Sequence, residues 1–181
     1  HRSVQDLQQE DQPDSYYGDL TELNTDRTIL DHVGKETLKK VAVDAIDLLE
    51  TSVAVYEKKG DYAIGMFSSG WCKTLDSASR RLCGDVTNPV ALVSGNWKCH
   101  DSCWDCSKRA METGQVVDEK CVGEINLYSI PIFAFGKPVG VISVGYGNPP
   151  EEKETIKKLA DDFNLTEQEL MKQQKDYQRR P

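Results

Sequence analysis

The segment from Ile125 to Tyr146 constrains the fold most. Two runs of apolar and β-branched residues, 125–135 and 139–146, flank Gly136-Lys137-Pro138. A run, a turn and a returning run at this spacing define an antiparallel β-hairpin. A two-stranded hairpin is at best marginally stable alone in water, so the rest of the chain must extend it into a sheet and cover it.

A second hairpin supplies more strands. Residues 52–56 and 62–67 read as its two strands, joined by the Lys59-Gly60-Asp61 turn. Helical spacing appears elsewhere. Leu38, Val41, Ala42, Ala45, Leu48 and Leu49 mark a helix over 35–50. Further helices are expected over 71–82, over 89–93, and over 100–112 with Asp101 or Ser102 as cap and Gly114 as stop. Two charged helices follow Gly147-Asn148-Pro149-Pro150. Ile156, Leu159 and Phe163 lie on one face of the first, and Thr166 with Glu169 forms a capping box for the second. The order is helix, hairpin, several helices, strand, hairpin, helices. That order predicts an α+β domain, an antiparallel β-sheet with flanking and inserted helices. The expected divisions are a polar lead-in at 1–17, a core domain at 18–150 and C-terminal connector helices at 151–181.

Charge excludes several functions. The chain carries 22 Lys and Arg against 30 Asp and Glu, a net charge of −8, with no basic stripe. Phosphate backbones and anionic membrane surfaces both need clustered cations, so nucleic-acid and membrane contact are not expected. No apolar run approaches the ~20 residues that span a bilayer, and the start has no signal-peptide pattern. A cytoplasmic location is expected. The first residue is His1, not Met, and the chain reads as a piece of a longer protein.

Six cysteines stand at 72, 83, 99, 103, 106 and 121. Cys99, Cys103 and Cys106 fall at i, i+4 and i+7, one face of a helix. Cys121 follows after a short connection. Cys72, Cys99, Cys103, Cys106 and Cys121 are therefore the candidate metal ligands, and thiolate softness suits zinc or an iron–sulfur cluster. Two other readings stay open: buried thiols acting as small hydrophobes, and disulfide or redox switching. Cys103 and Cys106 form a C-x-x-C pair inside a helix, not at its N-terminus, where a reactive thiolate would be stabilised. A thiol redox enzyme and a structural zinc module are the alternatives to a binding domain. Asp76 and Arg80 are read as an i, i+4 pair on a solvated face. No nucleophile elbow, Walker sequence or paired-His metal helix is present.

Several motifs together carry a family resemblance. They are Ser68-Ser69-Gly70-Trp71-Cys72, the run Trp97-Lys98-Cys99-His100-Asp101-Ser102-Cys103-Trp104, Cys121-Val122-Gly123 followed by Tyr128-Ser129-Ile130-Pro131-Ile132, and the last strand 139–147. In this order they resemble the PocR sensory-domain family over roughly residues 18 to 180. The resemblance implies a PAS/GAF-like fold and a non-enzymatic signal-input role, as in sensor histidine kinases and other two-component proteins. It implies a small-molecule ligand or metal, and an output domain on the same polypeptide. Cys106 is additional to the family pattern. Trp71, Cys72, Trp97, Cys99, His100 and Tyr128 are the candidate ligand-binding residues, in a pocket between sheet and inserted helices. A homodimer is expected through the terminal helices, with Ile156 as an exposed contact.

Overall fold

The computed structural model describes residues 18–49, 51–67 and 69–177. The polar lead-in expected at 1–17 lies outside the described residues. A 3-10 turn at Leu20–Leu23 leads into helices α1 (Thr28–Val33) and α2 (Lys35–Leu49). Strands β1 (Ser52–Glu57) and β2 (Tyr62–Phe67) form the first hairpin. Helices α3 (Gly70–Arg81), α4 (Asn88–Ala91) and α5 (Lys98–Thr113) are inserted next. Then come β3 (Val117–Lys120), β4 (Asn126–Ala134), β5 (Lys137–Tyr146), α6 (Lys153–Phe163) and α7 (Glu167–Asp176).

The five strands form one antiparallel sheet in the order β2-β1-β5-β4-β3. This is the α+β arrangement that the hairpins and inserted helices predict, and it is consistent with the PAS/GAF-like fold that the resemblance implies. Alternation along each strand gives the sheet two faces. Val53 and Val55 of β1 join Leu38, Ala42 and Ile46 of α2 in one core. Tyr56 and Val141 point to the other face, with Tyr62 of β2 and Ala110 of α5. A third core forms where α3, α6 and α7 meet. It contains Trp71, Leu75, Ile156, Leu159, Phe163 and Leu170.

Three local expectations change. The β4–β5 turn is the two-residue Phe135-Gly136, with Ala134 opposite Lys137, so Lys137 and Pro138 belong to the strand. Helix α5 starts at Lys98 and has no side-chain cap. Ser102 instead accepts a hydrogen bond from the Val122 amide at 2.9 Å and ties α5 to the loop before β4. Ile156 is 4% exposed, so α6 belongs to the core and offers no dimer contact there. The other expected dimer helix differs: Val41 and Leu48 of α2 stay 48% and 71% exposed. The capping box at Thr166 and Glu169 and the left-handed stop at Gly114 stand as read from the sequence.

Candidate ligand site

The site lies between the α5 face of the sheet and helices α3 and α5. Its base is a chain of hydrogen bonds. Tyr56 and Tyr62 face each other across β1 and β2 at a bulge. The Tyr56 hydroxyl donates to that of Tyr62 at 3.3 Å, and the Tyr62 hydroxyl lies 2.9 Å from Nδ1 of His100. His100 bonds onward to the backbone of Leu92. Burial raises both tyrosines well above their ordinary value, so each stays a neutral phenol.

Burial also holds His100 neutral and lowers its pKa to about 4, against a smaller opposing pull from Asp105. The ordinary value is 6.5. The unfolded chain therefore binds a proton between pH 6.5 and about 4 that the folded chain refuses. Stability falls as pH drops through that window, by up to about 3 kcal/mol from this one group. Urea unfolding at pH 7, 5.5 and 4.5 checks this. The loss should shrink in His100→Gln; an unchanged pH slope in that variant contradicts the assignment.

The second wall carries Asp76. Trp97 donates its indole N–H to Asp76 Oδ1 at 2.9 Å, and Asp76 is only 3% exposed. The expected pair on a solvated face is thus corrected, because Arg80 is buried too. Its guanidinium donates to the carbonyl of Val86 and to Asn88 Oδ1, and lies 5.4 Å from the Trp97 ring centroid. The cation closes the 84–88 loop. Trp71 is fully buried and donates to the Gly123 carbonyl at 3.0 Å, which pins the loop carrying Cys121.

Cys72, Cys99 and Cys103 lie near enough to Asp76 to feel its charge, and Cys121 stands near Cys72, Cys99 and Cys103. Burial and, after it, Cys121 and Asp76 push Cys72 up to about 12. Cys99 is raised well above its ordinary value by burial, then by Asp76, Cys103 and Cys121. Cys103 is raised by burial, then by Cys121, Cys72 and Asp76. Burial raises Cys121 as well. All four thiols are neutral, the reverse of what an attacking thiolate needs. Each of the four nevertheless keeps accessible surface.

The other sequence candidates go elsewhere. Cys106 is buried against the sheet, 3.2 Å from the Ser129 hydroxyl, which bonds Ser143 at 2.6 Å; Ser107 also bonds Ser143. Cys83 sits near Ser79 and Ser94. Tyr128 is 40% exposed. It lies opposite Val144, on the sheet face away from α5, and so does not reach the site; this corrects the expected pocket role. Trp104 packs over Tyr56 with ring centroids 5.4 Å apart. Among the described residues, no three or more His, Cys, Asp or Glu side chains are grouped so as to hold a metal ion.

Sequence reasoning missed Tyr56 and Tyr62. Their one signal is position, since they bracket the Lys58–Asp61 turn and so face each other across the hairpin.

A family model described as the sensory domain found in PocR matches residues 31–181. The chain belongs to the PocR sensory-domain family. The match spans the sheet, the inserted helices and both C-terminal helices, so the candidate site residues of this PocR domain lie wholly inside it. Membership gives the domain a sensory, signal-input role. No curated protein matches the chain, and no solved structure does. Among the described residues of the PocR domain, no helix is long and apolar enough to cross a membrane.

Proposed function

We propose that this domain senses a small, uncharged organic molecule held between β1, β2, α3 and α5. The carrying observation is that half-buried Cys103 packs against Tyr56 and Tyr62 of the Tyr56–Tyr62–His100 chain, while half-buried Cys72, Cys99 and Cys121 pack on the neighbouring core of Trp71 and Leu75. Tyr62, His100, Asp76 and the thiols offer hydrogen bonds, while Trp97 offers an apolar wall. Electrostatics select the ligand class. His100 and the thiols are neutral, and Arg80 is engaged with the 84–88 loop, so an anion finds no uncommitted counter-charge there.

Two contacts support a path for the signal. Gly70, at the start of α3, approaches Gln173 of α7 so closely that a Cβ there would clash. Tyr177 donates to the Gly147 carbonyl at 2.7 Å, joining the end of α7 to the end of β5. A ligand that favours one position of α3 shifts α7 and hence the output domain that follows. It does so only through differential affinity for the two positions. A homodimer through α2 belongs to the same reading, supported by exposed Val41 and Leu48.

Thermal shift with small diols, amides and matched carboxylates tests the ligand class. The uncharged compounds should stabilise the domain, by about 2.7 kcal/mol at 100 times Kd. Equal stabilisation by carboxylates contradicts the reading. The other reading, zinc or an iron–sulfur cluster held by the cysteines, has no grouped ligand set behind it, since among the described residues no three or more His, Cys, Asp or Glu side chains are placed to hold a metal ion. Stoichiometric metal in protein purified without air favours it over the organic ligand.

A further inference from the structure

A second surface lies outside the interior site. An open groove of about 580 Å³ runs along α5 where it meets the strand ends. Trp104, Lys108 and Met111 line it from one face of α5, Lys58 and Lys59 from the β1–β2 turn, and Pro138 from β5. Glu112, the acidic lining residue, is 3.9 Å from Lys108. The rest of the charge is basic, in a chain whose net charge is −8. Gly60 is required here: its φ is +96°, and a Cβ would lie 2.9 Å from the Trp104 ring.

The β4–β5 hairpin extends this surface. Phe133 pairs with Pro138, is 51% exposed, and has its ring 3.4 Å from where a Cβ on Gly114 would sit, at the end of α5. Phe135 caps the hairpin. It is fully exposed and has φ 51°, followed by Gly136 at φ 74°. Two positive φ values define the turn type that prefers Asn-Gly. A Phe in the first position is unfavourable twice, through left-handed backbone strain and through an apolar ring left in water. Neither cost serves the isolated domain.

We propose that the groove and the Phe135 tip form a docking surface for an acidic protein segment with an apolar face. The lysine rim meets its carboxylates, while Trp104, Met111, Phe133 and Phe135 meet its apolar side chains. A concave groove suits an inserted segment better than a flat bilayer. The inside of Trp104 rests on Tyr56, so the groove floor touches the interior hydrogen-bond chain.

Fluorescence anisotropy with a labelled synthetic helix of roughly five turns, Leu and Phe on one face and Glu on the other, tests this. The peptide should bind and should weaken with added salt. Phe135→Asn should weaken binding about tenfold and at the same time raise the melting temperature by about 2–4 °C, because Asn accepts the left-handed turn. Lys59→Glu, at an exposed position, should also weaken binding about tenfold without lowering the melting temperature. A peptide with Lys in place of Glu should not bind. Absence of binding by the acidic peptide, or wild-type affinity in both variants, overturns the proposal. So does Phe135-dependent binding to anionic phospholipid vesicles in place of the peptide.

Discussion

Ile156→Asp is expected to unfold the domain. Ile156 is 4% exposed and packs with Trp71, Leu75, Leu159 and Phe163. Removing its burial costs roughly 1.5–3 kcal/mol. Placing a carboxylate there adds several kcal/mol of desolvation. Together these approach the whole stability of a domain, about 5–15 kcal/mol. Circular dichroism and urea titration at 25 °C read the result. Leu48→Asp serves as the control, since Leu48 is 71% exposed and its replacement should leave the fold intact. An Ile156→Asp protein as stable as wild type would mean that α6 does not close the core.

Glu57→Gln is expected to cost about 2–4 kcal/mol. Glu57 is fully buried, and both oxygens are used. Oε1 accepts from the Leu30 amide at 2.9 Å and from Asn24 Nδ2 at 3.1 Å, while Oε2 accepts from the Ile29 amide at 2.8 Å. These amides belong to the first turn of α1, whose positive end favours an anion. The carboxylate of β1 thus caps α1 from a distance of 28 residues. Glutamine supplies one accepting oxygen and turns an NH₂ group toward a donor. The urea midpoint should fall, with amide exchange speeding up in α1. A midpoint within experimental error of wild type contradicts this account of how α1 is held.

Local chemistry was legible in the sequence, and long-range contact was not. The hairpins, the Gly114 stop and the Thr166–Glu169 box depend on residues close together in the chain, and each stands where the sequence puts it, except that the β4–β5 turn is Phe135-Gly136 with Lys137 and Pro138 in the strand. The cysteine stripe of α5 was legible as a helix face. Its division was not: Cys99 packs on the core of Trp71 and Leu75, Cys103 on that of Tyr56 and Tyr62, and Cys106 turns to Ser129. That division depends on how α5 lies across the sheet, which spacing does not encode. Tyr128 shows the same limit. A strand changes face at every residue, so its neighbour Ser129 faces α5 while Tyr128 faces away. Asp76 and Arg80 have helical spacing that fits a solvated pair equally well. Only the arrival of Trp97 and the 84–88 loop over α3 buries them.

Amide hydrogen exchange of the domain, with and without an uncharged compound that raises its melting temperature, tests the central claim most directly. The account predicts slower exchange in β2 around Tyr62, in the first two turns of α5, at the start of α3 and, through the Gly70–Gln173 contact, in α7. Protection confined to α2 and the sheet face bearing Tyr128, with β2, α3 and α7 unchanged, would contradict it.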